Sequence, residues 1–260
     1  MSPAAPAQPL CAVLIGASGR MGRAILSAAA EFPGLALVGA IASKDSAVLG
    51  RDSGVSAGGA PNYLPITSNL GTVLPRAHVV IDFSTADATR ENLHACRAAR
   101  KPLLIGATGF AAGLESEFAA AAHDIPLLIA PNTSLGVTLL IELARTAARA
   151  LPGFEIGITE THHREKRDAP SGTALALAAA IREGREGREG EIPISSVREG
   201  EVVGEHTVRF AGAAEELLLT HRALERGIFA RGALAAGLWL ASQPAGRYGM
   251  RDVMGFKTVT

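Results

Sequence analysis

The stretch LIGASGRMGRAIL, residues 14–26, decides the fold. An apolar run stops at Gly16, glycines recur at 19 and 22, and a run with helical spacing follows. A strand that enters a helix through such a turn lets backbone N–H groups approach a pyrophosphate, whose charge the helix N-terminus favours. Taken alone, GxxGxxG is a weak variant of the dinucleotide fingerprint, and an ordinary strand-to-helix turn would look the same. Here the flanking strand and helix that the motif requires are both present. Arg20, inside the turn, is a candidate phosphate contact.

Working outward, the same texture repeats. CAVLIG, LALVGAIAS, HVVIDFS, PLLIGATG and IPLLIAPNTS are short apolar runs separated by alanine-rich helical segments. Runs buried on both faces and joined by helices predict a parallel sheet, hence an α/β Rossmann-like first domain. Each run ends in a small or polar residue: Gly16, Ser43, Ser84, Gly106 and Asn132. In a doubly wound sheet these carboxyl ends line the ligand crevice. At the second strand tip, GAIASKD, an acid would be expected to take the ribose diol, but Ala42 and Ser43 stand there, followed by Lys44. A hydroxyl beside a lysine suits a 2′-phosphate better; Asp45 could still reach the diol if the turn is one residue longer.

The composition sets outer bounds. The 260 residues suit one large domain or two modest ones, and 48% apolar content fits a packed protein. Lys and Arg (25) balance Asp and Glu (25), so nothing global predicts a nucleic-acid partner. Cys11 and Cys96 form no CxxC pair, which argues against a zinc or thiol-redox site. The opening MSPAAPAQPL reads as a frayed tail rather than a signal peptide, and no apolar run is long enough to span a bilayer. A cytoplasmic protein with no membrane partner is the expectation.

Beyond about residue 150 the texture changes. FEIGITETHH alternates, as in a sheet open on one face; ISSVREGEVVGEHTVRFAG and EELLLTHRAL read as strands joined by tight glycine turns. The second region is therefore expected to be α+β, with a mostly antiparallel or mixed sheet. EGREGREGE, residues 183–191, reads as a solvated loop. The closing GALAAGLWLASQPAGRYGMRDVMG is too short for a domain and must dock on one of the other two.

Chemistry concentrates in ETHHREKRDAPSGTALALA, residues 160–178. No metal site is expected, because adjacent histidines on a strand point to opposite faces and no cysteine is near. Pro170 can sit in the first turn of a helix, with Ser171 or Thr173 as its cap. The N–H groups of Gly172 and Thr173 would then face an anion. Lys166 adds positive charge, and His162 a proton donor. Together they suggest a small carboxylate pocket with an acid/base group, beside a nicotinamide domain.

This segment resembles the signature of the 4-hydroxy-tetrahydrodipicolinate reductase (dihydrodipicolinate reductase) family, E-x-H-H-x-x-K-x-D-A-P-S-G-T-A, at every fixed position. GASGRMG, IDFS, IGATGF, APNTS, VREGEVVGEHTVRF and GRYGMRDVMG extend the resemblance over nearly the whole chain. It implies a Rossmann-like domain, residues 1–131 plus 239–260, and a substrate-binding and tetramerisation domain, residues 132–238. It implies reduction of a cyclic imine dicarboxylate with NADPH or NADH in diaminopimelate/lysine biosynthesis, by a homotetramer. By the same resemblance, His162 is the proton donor and Lys166 the second catalytic group, while His163, Gly172 and Thr173 hold the substrate carboxylates. The cofactor residues are Gly16, Ala17, Ser18, Gly19, Arg20 and Met21, then Gly106, Ala107 and Thr108, then Ala130, Pro131, Asn132 and Thr133; the residue reading adds Lys44. The chain departs from the commonest family pattern at Ala107, at Thr133 and at the missing acid of the second strand tip. Two rival readings are a dehydrogenase of another small amino or dicarboxylic acid, and a non-catalytic NAD(P)-sensing module.

Overall fold

The computed structural model describes residues 8–111, 113–186 and 190–256. Most of the expected N-terminal tail, residues 1–7, and residues 187–189 of the glycine–charge repeat lie outside them. Strands β1 to β11 and helices α1 to α9 are numbered in chain order. The chain divides into two units, residues 1–133 with 229–260, and residues 134–228.

In the first unit, β1 (Leu10–Ile15), β2 (Leu35–Ile41), β3 (Ile66–Thr67), β4 (Val79–Asp82), β5 (Leu103–Ile105), β6 (Pro126–Ile129) and β11 (Gly246–Tyr248) form one sheet. Its order is β11-β6-β5-β4-β1-β2-β3, and every pair is parallel. The chain runs outward from β1 to β3 and returns to place β4 on the other side of β1. The carboxyl ends of β1 and β4 therefore flank the topological switch point, where such sheets bind ligands. Alternation along the strands feeds two cores. Ala12, Leu14, Val79 and Ile81 face one side, with α1 (Arg20–Ala28). Val13, Ile15, Val80 and Leu103 face the other, with α4 (Ala86–Ala98) and α5 (Leu114–Ala122). Two single-turn helices, α2 (Ser53–Ser56) and α3 (Leu70–Val73), complete the connections.

The second unit carries α6 (Leu135–Ala150), β7 (Glu155–His162), α7 (Gly172–Gly184), β8 (Ile194–Arg198), β9 (Gly204–Ala211) and β10 (Glu216–Ala223). Its sheet is mixed, in the order β10-β9-β7-β8, with β8 parallel to β7. β9 and β10 form a hairpin. β8 and β9 do not, because β7 lies between them. Ile156, Ile158, Val208 and Phe210 cover one face with Leu140 and Ala144 of α6 and Leu177 and Ile181 of α7. α7 also runs two residues into the segment expected to be loop, because Ile181 and Gly184 are buried.

The closing segment folds as α8 (Gly227–Leu240), β11 and α9 (Met250–Val253). The expected boundary at residue 239 falls inside α8. Ala230, Ala233, Leu234 and Leu240 join the core of β1 and β4, so nearly the whole helix belongs to the first unit. No helix among the described residues is long and apolar enough to cross a membrane. Leu234 is fully buried, and Leu234→Ala should cost about 2–5 kcal/mol in a denaturant titration. A loss below about 1 kcal/mol would mean that α8 does not fill this core.

Candidate active site

The turn after β1 is built by close approach. Gly16 has φ +84, and a Cβ there would stand 2.4 Å from the Phe83 carbonyl oxygen at the end of β4. A Cβ at Gly22 would stand 2.1 Å from the Gly16 carbonyl oxygen. Only glycine lets β1, β4 and α1 meet so tightly. α1 starts at Arg20 with Gly19 as N-cap, no side-chain cap and no acidic residue in its first turn. Its first N–H groups thus suit an anion. Ser18, Gly19, Arg20 and Met21 are at least partly accessible, whereas Ala17 is buried in the core and offers only backbone.

Around this turn the strand ends fall as expected, with three refinements. Ala107 is buried against the α4–α5 side of the sheet, while Gly106 and Thr108 are accessible. Thr133 is buried and its hydroxyl donates to the Phe229 carbonyl at 2.6 Å, so its side chain fastens α8. Ala130 is buried, and Pro131 and Asn132 are accessible. Ser43, Lys44 and Asp45 lie exposed at the tip of β2, and neither Lys44 nor Asp45 forms an ion pair among the described residues. Asp82, to which no sequence motif assigns a role, is fully buried, accepts from the Ser84 N–H at 2.8 Å and from Asn92 at 2.9 Å, and so holds the Phe83–Ser84 corner against Gly16. Burial raises its pKa; the bonds from Ser84 and Asn92 oppose this.

In the second unit, Ile158, Glu160 and His162 share the inward parity of β7. Glu160 is fully buried and His162 is 7% exposed; His163 turns the other way and lies half-buried near Arg226, 3.3 Å from its ring. Glu160 collects donors. Ser171 N–H reaches both its oxygens (3.1 and 3.2 Å), Ser196 Oγ its Oε1 (2.8 Å) and Arg198 the same Oε1 (3.1 Å). Burial alone would raise the carboxyl pKa, but the bonds from Ser171, Ser196 and Arg198 hold it at about 2. Burial lowers the His162 pKa, helped by Lys166 and Arg198 and opposed by Glu160.

Ser171 is the N-cap of α7, accepting from the Ala174 N–H at 3.2 Å. Pro170 stands before the cap rather than in the first turn, after a cis peptide bond. Gly172 is open to solvent, Thr173 is partly so, and the first turn carries no acid, so this N-terminus also suits an anion. Lys166 binds Asp168 through both carboxylate oxygens, at 2.7 and 2.8 Å.

Glu160, His162 and His206 each offer a ligand atom, all within 4.8 Å of one another. The expectation of no metal site rested on the opposite facing of adjacent histidines and the lack of a nearby cysteine, and neither bears on this grouping, whose third member comes from β9. Even so, the carboxylate is already neutralised by Arg198, and a cation here would lie close to that guanidinium.

The buried imidazoles give a pH signature. His162 and His206 have pKa values below 6.5 in the folded chain, so the unfolded chain binds more protons as pH falls through 6.5. Their stabilisation is complete above 6.5 and is lost as pH falls from there towards the folded values, by about 1.4 kcal/mol for each pH unit crossed. Glu160 adds a loss as pH falls from 4.5 towards 2. The melting temperature should therefore drop steadily from pH 7 to pH 4, and a flat profile would contradict the buried neutral imidazoles.

Comparison with known proteins agrees with this layout. Residues 11–133 match the family model "Dihydrodipicolinate reductase, N-terminus" and residues 136–254 the model "Dihydrodipicolinate reductase, C-terminus". A 4-hydroxy-tetrahydrodipicolinate reductase of Anaeromyxobacter dehalogenans is 43% identical, over 94% of this chain and 97% of its own. One of Thiobacillus denitrificans is 44% identical, over 94% and 98%. The dipicolinate-bound dihydrodipicolinate reductase of Paenisporosarcina sp. TG-14 shares the fold, with TM-score 0.78 at 24% identity over 93% of this chain and 97% of that one. The chain belongs to the dihydrodipicolinate reductase family.

Proposed function

We propose that the protein reduces the cyclic imine 4-hydroxy-tetrahydrodipicolinate to tetrahydrodipicolinate in diaminopimelate and lysine biosynthesis. In balance, one hydride and one proton are taken up and the 4-hydroxyl leaves as water. The observation that carries this reading is the buried His162 on the strand that leads, through Lys166, to the open N-terminus of α7. The relatives' name and the family match support it.

The first unit fits a dinucleotide, because the Gly16 and Gly22 approaches leave the uncapped start of α1 open to phosphate. Backbone of the 16–21 turn, of Gly106–Thr108 and of Ala130–Thr133 would hold it, with Arg20 and Lys44 adding charge. Bound there, NADPH or NADH supplies the hydride. In the second unit, the N–H groups of Gly172 and Thr173, the Thr173 hydroxyl, His163 and Lys166 clamp the two carboxylates. Lys166 must share or exchange its Asp168 partner to do so. Clamping fixes the ring, which accounts for much of the rate advantage of such sites. His162 gives the proton: burial disfavours its cation in the free protein, and a dianionic substrate would favour it again. A homotetramer fits Leu218 and Val197, which are exposed on the open face of the mixed sheet. The cytoplasm is the compartment of such a biosynthetic step.

NAD(P)H oxidation with the coupled synthase product, against aspartate and oxaloacetate controls, tests the assignment. His162→Ala should lower kcat by about 10²–10⁴ with a much smaller change in KM. Lys166→Met should worsen both, and Thr173→Val should mainly raise KM, by about 1–3 kcal/mol. Unchanged turnover in folded His162→Ala would remove its acid role. Lys166→Met that weakens only cofactor binding would move the lysine to the other pocket.

Cofactor choice follows from the β2 tip. With Ala42 and Ser43 in place of an acid, the repulsion of a 2′-phosphate from those two positions is absent, and Lys44 and Ser43 are exposed to meet one. An exposed charge-assisted contact is worth about 1.5–3 kcal/mol. NADPH should be used at least as well as NADH, and Lys44→Glu should reverse the order. A strong NADH preference that collapses in Asp45→Ala would assign the ribose to Asp45.

A further inference from the structure

His206 lies on β9, directly across from Glu160 of β7. It is 4% exposed. Its Nε2 is 3.2 Å from Ser171 Oγ and 3.7 Å from Glu160 Oε2. Its ring meets that of His162 edge-on, with centroids 5.0 Å apart and planes at 76°. His206 thus touches the cap of α7 and the proton donor of β7, two groups separated by the long 163–170 segment.

The hydrogen bonds select a tautomer. Ser171 Oγ accepts from the Ala174 N–H and lies 3.2 Å from His206 Nε2, while His206 Nδ1 is buried with no hydrogen-bond partner among the described residues. A buried, unpartnered N–H would be costly, so Nε2 carries the imidazole proton and gives it to Ser171 Oγ. In this tautomer Nδ1 holds a lone pair rather than an orphaned N–H. Burial and the adjacent His162 keep the ring neutral. His206 thus bonds to Ser171, whose backbone N–H donates to the Glu160 carboxylate, and His162 Nδ1 lies 3.5 Å from that same carboxylate.

We infer that His206 is a positioning residue for the reduction: through Ser171 and its edge contact it registers the donor His162 against the carboxylate cradle at the start of α7. The inference rests on the reading of His162 as proton donor. Its physical basis is that a donor and a cradle on separate elements must agree to within an ångström, since an error of about 1 Å can cost about a hundredfold in rate. β9 is suited to the task because it is paired on both sides, with β7 and with β10.

The test uses the full-length protein and the coupled reductase assay across pH. His206→Phe keeps a buried ring and loses the Nε2 proton; His206→Gln returns an N–H donor. His206→Phe should lower kcat about tenfold to a hundredfold, leave the KM for NADPH unchanged and be largely rescued in His206→Gln. Groups facing His162 are Glu160 on its own strand, Arg198 of β8, His206 of β9, and Lys166 and Asp168 beyond β7, with His221 of β10 across from His206. A phenyl ring makes this setting less polar, which disfavours the imidazolium, so the limb where activity falls with rising pH should move to lower pH in His206→Phe and stay in place in His206→Gln. Wild-type kcat and an unmoved limb in His206→Phe would overturn the inference, as would equal losses in both variants. Imidazole ¹⁵N spectra of the unmodified protein give a test that is independent of variant folding. They should show neutral His206 protonated at Nε2 at pH 6, and an imidazolium or the Nδ1–H form would overturn the inference. Wild-type protein without reductase activity would instead overturn the functional reading, with the spectra still judging His206.

Discussion

The second unit is organised by one buried carboxylate. Glu160 has no access to solvent, yet it remains charged because Arg198 and the hydroxyl and N–H donors around it replace water. A buried charge stripped of such partners costs several kcal/mol, so the donors and the acid are mutually obligatory. The groups around it come from three elements. Ser196 and Arg198 of β8 and Ser171 at the start of α7 donate to it, and His206 of β9 lies 3.7 Å away. The acid therefore ties the start of a helix to an edge strand and places its charge 3.5 Å from the His162 imidazole. The chemistry proposed for His162 depends on this arrangement more than on any property of histidine alone.

The first unit solves a different problem, the approach of three backbones. Gly16 and Gly22 remove the side chains that would keep β1, β4 and α1 apart. Asp82 then holds the corner of β4 by bonding to Ser84 and Asn92. The Phe83 ring lies against Gly106, where a Cβ would stand 2.2 Å from a ring carbon. The result is a rim of backbone N–H groups and small residues at the carboxyl edge of the sheet, suited to a phosphate-bearing ligand. Side chains contribute mainly by their absence, and the few with charge, Arg20 and Lys44, are exposed.

Two surprises share a cause. The side chains of Thr133 and Ala107 turn inward, leaving only backbone for the cofactor they were expected to meet. The domain boundary was expected at residue 239, and the apolar face of α8 joins the first core some ten residues earlier. For Thr133 and α8 the deciding partners are distant in sequence, Phe229 in the one case and β1 and β4 in the other. Local spacing carries no information about such partners.

What the sequence determined by itself was most of the elements, though not α2, β3, α3 or β11, and the grouping of the residues to which the chemistry is assigned by proposal. Period-two and both-face-buried runs reveal the strands, the glycine spacing reveals the nucleotide turn, and the 160–173 segment brings His162, Lys166, Gly172 and Thr173 together within fourteen residues. These are short-range facts, legible because backbone geometry repeats every two or 3.6 residues. Tertiary structure alone decided the support behind them. Arg198 and His206 lie 38 and 46 residues beyond Glu160, on strands whose neighbours follow from sheet order and not from chain order. β8 and β9, consecutive in the chain, are likewise separated by β7 in the sheet. The physical reason is that a buried charge is satisfied by whatever donors folding brings within about 3 Å, and that proximity is a property of packing, which a linear reading of residue types does not contain.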